Sequence, residues 1–266
     1  MKTKILLLAM MVCVVFAGTA SASTKSEYRN GVLTFFDSDN YETVDVMAQV
    51  KWFDEFTSQN VAAATTIYSV TARSSGTLVA SATPGGVLTM VNPATDGMTF
   101  QIATSLDWSP GKYCVMEARF KLNSDIGAVN IGFTDAQIEG DNTAAAGVLP
   151  IAITTNTATS TNTDGAMFVL DSNQTTDTIR VLAVKAGTDG TLTSTSTTWA
   201  DNTWYVMRVE INSDGDCDFW LDGNHIYQEE EGITTTTPLC AYIGTSTRSA
   251  AAIEGYIDYI RVWQKR

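Results

Sequence analysis

From residue 24 onward the chain is a series of short segments in which apolar and polar residues alternate. YCVMEARFKL and WYVMRVEI show it most clearly, every second side chain being apolar. A period of two puts alternate side chains on opposite faces of an extended strand, so each segment has one face for a core and one for water. VLTFF, VLTMV, MTFQIA, AVNIGFT, AMFVLD, IRVLAV, CDFWL, CAYIG and YIDYIRVW read the same way, with Gly, Asp, Asn and Pro clusters between them. No long apolar stripe at helical spacing interrupts the series, which predicts an antiparallel all-β protein. AAATTIYSVTA fits a strand or a short helix. Two Thr-rich tracts, ITTNTATSTNTDG and GTDGTLTSTSTTWADN, lack apolar anchors and predict long surface loops or edge strands. No fixed-period repeat is present, which argues against a propeller or solenoid.

The alternation goes furthest between Trp204 and Leu221. Tyr205, Met207, Val209 and Ile211 share a face, and Cys217, Phe219 and Leu221 must join them in the core. Matching the faces requires a three-residue loop, Ser213-Asp214-Gly215, with Gly215 in the left-handed conformation that glycine adopts without steric cost. A second tight turn follows at Asp222-Gly223-Asn224. Asp214 and Asp222 are thereby turn residues. The register sets Ile211 opposite Cys217, Glu210 opposite Asp218, and Arg208 opposite Trp220, the last two pairs facing outward.

Opposed side chains on antiparallel strands have Cβ atoms roughly 4.5 to 5.5 Å apart. That is close to the roughly 5 to 5.5 Å between the carboxyl groups of retaining glycosidases, so Glu210 and Asp218 fit a catalytic pair on distance. Environment argues for a solvated acidic face instead. A general acid needs its pKa raised by burial, and Arg208, expected diagonally beside Asp218, lowers it. An EF-hand reading of Asp214-x-Asp216-x-Asp218 fails because Phe219 takes the glycine position, His225 takes the position of the bidentate Glu, and no helices flank the loop.

The first 22 residues stand apart. Lys2 and Lys4 precede an apolar run, Ile5 to Ala17, and a small-residue box, Ala20-Ser21-Ala22. This predicts a secretory signal peptide cut after Ala22, the run being shorter than the roughly 20 residues of a membrane span. The remainder is the size of one sandwich domain, with 44% apolar residues in the whole chain. A formal charge of −13 sets the protein against nucleic acid and acidic membranes. Cys13 leaves with the signal peptide, and Cys114, Cys217 and Cys240 allow at most one internal disulfide; their apolar settings favour buried small hydrophobes. With His225 the only histidine, a His-rich metal site is excluded and a Ser/His/Asp triad would depend on a turn residue.

VKWFDEF, YCVMEARFKL, TWYVMRVEINSDGDCDFWLDGNHIY and IDYIRVW, in that order and spacing, resemble strands of the concanavalin A-like lectin/glucanase superfamily, which includes laminin-G modules and family 16 glycoside hydrolases. The resemblance covers most of residues 50–266 and implies an antiparallel two-sheet jelly-roll sandwich. Glucanases of this type carry a Glu-x-Asp-x-(x)-Glu strand between the second and third of these segments, on the concave face. Here that interval lacks the motif; Glu139-Gly-Asp141 is the nearest approach, and Gly-rich surroundings read it as a loop. The resemblance therefore implies the fold without the family's catalysis. It also implies a structural calcium on the convex side, with Asp258 and the carbonyl of Glu55 as ligands and Gly97 as a weaker candidate; an Asp258 paired with Arg or Lys is the competing arrangement. The N-terminal EYRNGVLTFFDSDNYETVDVMAQVKWFDEF resembles jelly-roll proteins of tailed-phage virions, from which a signal peptide departs.

These readings predict an exported, non-catalytic jelly roll that binds carbohydrate or decorates a surface. Sugar rings stack on aromatics, and Trp199, Trp108 and Trp220 are the candidates, each with core packing as its rival; Trp204 and Trp263 are assigned to the core. A glycan or polysaccharide surface is the expected partner. The first alternative is a virion or cell-surface structural component, with an assembly partner bound through the strap of residues 23–49. The second is a divergent glycoside hydrolase using Glu210 with Asp218, or Glu117.

Overall fold

The structure, a computed structural model, describes residues 24–29, 32–37, 43–44, 49–54, 56, 68–72, 77–80, 86–124, 126–137 and 149–265. In chain order the strands begin with β1 (Thr24–Arg29), β2 (Val32–Asp37), β3 (Thr43–Val44), β4 (Gln49–Asp54), β5 (Ser69–Ala72), β6 (Thr77–Ala80), β7 (Leu88–Asn92) and β8 (Thr99–Ala103). After a single 3₁₀ turn at Pro110–Lys112 come β9 (Cys114–Leu122), β10 (Gly127–Thr134), β11 (Ile151–Thr154), β12 (Thr157–Ser160), β13 (Gly165–Asp171) and β14 (Thr178–Lys185). The series ends with β15 (Thr188–Asp189), β16 (Thr193–Thr198), β17 (Tyr205–Ile211), β18 (Cys217–Leu221), β19 (Asn224–Glu229), β20 (Cys240–Thr247) and β21 (Ile253–Lys265). The ambiguous AAATTIYSVTA ends in strand β5; its first residues lie outside the described set.

The chain divides between Gln49 and Val50 into two compact units. In the first, β1, β2 and β3 pair antiparallel with one another. In the second, two eight-stranded antiparallel sheets form a sandwich. The first sheet runs β15-β14-β13-β10-β20-β8-β5, with β16 on β14; the second runs β19-β18-β17-β9-β21-β7-β6, with β4 on β21.

The alternation seen along the chain is what holds the sheets together. Ile131, Phe133, Phe168 and Val181 from the first sheet meet Met116, Phe120, Val209 and Phe219 from the second, all at most 1% exposed. Phe168 and Phe219 touch edge to face across the interior at 5.7 Å. Cys114, Cys217 and Cys240 are buried and packed as small apolar side chains, and burial pushes the Cys114 and Cys217 thiols well above their ordinary range.

The first sheet also buries its other face. Met167, Val169, Leu182, Val184 and Tyr242 point away from the interior and are covered by Ile151 and Ile153 of the β11–β12 hairpin, making a second core. The tract expected as a Thr-rich loop or edge is thus a covering hairpin. The later Thr-rich tract supplies β15 and β16, which pair with β14.

Candidate functional site

The β17–β18 hairpin has the register that alternation requires. Ile211 pairs with Cys217, Glu210 with Asp218 and Arg208 with Trp220. Gly215 closes the loop at φ 91, where an added Cβ would lie 2.6 Å from the Ile233 carbonyl oxygen. Asp222 and Gly223 take φ of 50 and 79 in the next turn, and the Asp222 carboxylate accepts the Val206 N–H at 2.8 Å. Asp216, unassigned by sequence, accepts the Glu231 N–H at 2.8 Å and the Asn212 amide at 2.8 Å, and these bonds hold its carboxyl below the usual range. It ties the hairpin loop to the segment after β19.

On the outer face of the second sheet the carboxylates each have their own partners. Glu210, 7% exposed, accepts the Tyr113 hydroxyl at 2.6 Å and pairs with Arg208. Asp218 lies 2.7 Å from His225 Nε2. Arg208 therefore sits on Glu210, its neighbour two residues along the strand, instead of serving Asp218 as expected. Burial and the bond to Glu210 push the Tyr113 phenol up to about 12. Glu117 accepts the Tyr259 hydroxyl at 2.9 Å.

The same face carries aromatic–cation clusters, among them Lys265 over Tyr113 at 4.9 Å. Arg208 lies between Trp220 and Trp263, 5.8 and 5.4 Å from their ring centres. Lys121 stands 5.0 Å from Trp204 and 4.5 Å from Tyr256, with Arg119 over Trp204 at 4.7 Å. Arg261 stands over Phe53 at 4.8 Å and Tyr259 at 5.0 Å. Cationic groups at these distances are attracted to the ring faces, which orders both partners. Five cations, Arg119, Lys121, Arg208, Arg261 and Lys265, accompany five carboxylates, Glu117, Glu210, Asp218, Glu254 and Asp258. These described side chains are thus balanced in charge on a protein of net −13.

The tryptophans are distributed differently from the sequence expectation. Trp108 and Trp199 are each 5% exposed: Trp108 donates from Nε1 to Thr104 at 3.0 Å, and Trp199 packs on Tyr205 at 4.7 Å. Neither presents a ring to solvent. Trp204 and Trp263, assigned to the core, are half-buried on the outer face with Trp220. The signal was present, since Trp204 precedes the inward Tyr205 and Trp263 follows the inward Val262.

Asp258 forms an ion pair with Arg119 at 2.7 Å. It is the extra residue of a β-bulge between Ile257 and Tyr259, which turns both Asp258 and Tyr259 outward while Ile257 and Ile260 stay buried. A calcium ion would have to displace the guanidinium, so this carboxylate does not fit the metal implied by the resemblance. Glu55 lies outside the described residues, and Gly97 uses its N–H on the Thr247 carbonyl. Among the described residues no three His, Cys, Asp or Glu side chains converge as a metal set.

The outer face of the first sheet holds different chemistry. β13 lies in the interval where the resemblance places a catalytic strand, and its outward Met167 and Val169 are apolar and covered. Asp171, fully buried at the strand's end, receives Arg248 through two bonds of 3.0 and 2.8 Å and the Ile153 N–H at 3.1 Å. Glu139 and Asp141 lie outside the described residues.

No protein-family model and no curated protein matches the chain. Among solved structures, the metal-free Emp46p carbohydrate recognition domain superposes with a TM-score of 0.55 at 8% identity, covering 78% of this chain and 93% of that one. The same domain is also known in a potassium-bound form. A Bacillus licheniformis beta-glucanase gives 0.53 at 11% identity, covering 81% and 98%. A Shewanella oneidensis protein of unknown function gives 0.54 at 13%, covering 82% and 87%. At such identities the likeness establishes the fold: the sandwich is a concanavalin A-like jelly roll. No helix among the described residues is long and apolar enough to cross a membrane.

Proposed function

We propose that the protein is an exported, non-catalytic jelly roll that binds carbohydrate on the outer face of its second sheet. The observation that carries this reading is the group of half-buried aromatics on that face, Trp204, Trp220, Trp263, Tyr256 and Tyr259, interleaved with charged groups held in place by one another. Aromatic faces take the apolar face of a sugar ring, and oriented guanidinium and carboxylate groups take its hydroxyls. The kinship in fold with a carbohydrate recognition domain and a glucanase supports the same class of ligand.

Catalysis is the weaker reading because the carboxylates are committed elsewhere. Glu210 is bound by Arg208 and Tyr113, Glu117 by Tyr259, and Asp218 by His225. Export rests on Lys2, Lys4, the apolar run and the Ala20-Ser21-Ala22 box. The test is affinity electrophoresis in gels containing soluble polysaccharides. The protein is retarded by at least one of them without hydrolysing it, and Trp220→Ala with Trp263→Ala reduces the affinity by at least tenfold. Retardation unchanged in that double variant would refute the location, and released reducing sugar, lost in Glu210→Gln, would refute the absence of catalysis.

A second reading has its own observation. Residues 24–44 contain a separate three-stranded sheet, the kind of element that docks on a partner in a virion or cell-surface assembly. Recovery of the protein in purified particles, lost on deleting residues 23–49, supports it; recovery only as free monomer counts against it.

A further inference from the structure

We propose, resting on the carbohydrate reading, that the outer face of the second sheet binds a linear, neutral, β-linked polysaccharide laid across the strands. The pairing register sets Arg261 opposite Glu117, Glu117 opposite Arg208, Arg208 opposite Trp220, and Trp220 opposite His225. Phe53 on β4 lies under Arg261 at the far end. Directly paired residues lie on a line perpendicular to the strands, so the five form one row across β21, β9, β17, β18 and β19, and the contact of Phe53 with Arg261 extends it onto β4. At about 4.8 Å per strand the row is roughly 24 Å long.

The order of chemistry along the row selects the ligand. An aromatic platform stands at each end, Phe53 at 47% exposure and Trp220 beside His225, its ring 4.9 Å away. Between them lie Arg261, Glu117 and Arg208, which donate and accept in alternation. A β-linked pyranose chain offers apolar ring faces for the platforms and equatorial hydroxyls along its edges for the middle. A short oligosaccharide reaches one platform only.

Two further observations narrow the class. A lectin for a single terminal sugar gathers its groups round one pocket, whereas these groups are drawn out in a line; a cleft of ≈ 360 Å³ lined by Lys185, Asp189 and Glu229 to Glu231 contains none of them. The balanced charge of the described side chains on this face gives no premium to uronate or sulfate groups, and the net charge of −13 repels them.

The test is calorimetry of the intact protein with β-1,3- and β-1,4-linked gluco-oligosaccharides of increasing length. In the linkage series that binds, the hexasaccharide binds at least tenfold more tightly than the trisaccharide. Phe53→Ala, at a site exposed enough to leave the fold intact, lowers hexasaccharide affinity and removes that advantage over the trisaccharide. Trp220→Ala weakens both. Affinity independent of length, an unaltered hexasaccharide affinity in Phe53→Ala, or tighter binding of a polyuronate would each overturn the linear neutral chain while leaving carbohydrate binding intact. Absence of binding by every glycan, in this assay and in the gels, would overturn both.

Discussion

Tyr113 and Glu210 lie far apart in sequence, yet the phenol caps a carboxylate that local pattern assigned to a catalytic pair or a solvated face. Because the Tyr113 pKa rises from the ordinary 10.0 to about 12, the folded protein keeps this proton where the unfolded chain has lost it. Stability from burying this phenol and bonding it to Glu210 is fully present below pH 10 and is lost as pH rises through about 12. Tyr256, raised to about 12 by its bond to Glu254 and then by burial, adds to the same window with the same sign. Titration of tyrosinate absorbance will show these late steps. Tyr113→Phe removes one of them, and the difference in melting temperature between wild type and variant shrinks as pH rises from 10 toward 12. The aspartates illustrate what was legible at this scale. Asp214 and Asp222 are readable from turn chemistry; Asp216 is not, because its partner is the backbone of Glu231, beyond the next strand.

At the scale of elements, β17 and β18 were readable to the register because one apolar face and one short loop leave a single way to match them. The β11–β12 hairpin was not. Ile151 and Ile153 are too few to signal a buried strand, and the hairpin is held by Asn130, which accepts the Ile151 N–H at 2.7 Å, and by Asp171 with Arg248. A buried carboxylate and guanidinium stabilise little against apolar replacements, whereas removing one partner strands the other, at a cost of about 3 to 5 kcal/mol. Asp171→Ala is therefore expected to lower urea-unfolding stability by about that amount and to open the hairpin to proteolysis, while Asp171→Leu with Arg248→Met recovers most of the loss. Equal stability of wild type and Asp171→Ala would show that the pair does not anchor the cover. The bulge at Asp258 is a third case: one extra residue in β21 turns Tyr259 outward, and alternation counted along that strand without it misplaces every residue on one side.

At the scale of the molecule, the two outer faces have diverged. One is closed by an apolar hairpin, and the other carries half-buried aromatics interleaved with charges of both signs, which is why the proposed ligand surface lies on the second sheet. Export carries its own prediction: when the whole chain is produced in a secreting host, N-terminal sequencing of the released protein begins at Ser23, and retention of Lys2 and Lys4 in that material would refute cleavage after Ala22.

The sequence by itself determined the all-β class, the inward face of most strands, the two tight turns and the pairing of β17 with β18. These depend on neighbours a few residues apart, whose periodicity and turn chemistry have local physical causes. Only the tertiary structure decided that Trp108 and Trp199 are core residues, that Trp204 and Trp263 join Trp220 outside, that Asp258 belongs to Arg119, and that a hairpin closes the other sheet. Those outcomes depend on which strands become neighbours and what packs on them, a choice made by burial and charge pairing between residues up to well over a hundred positions apart.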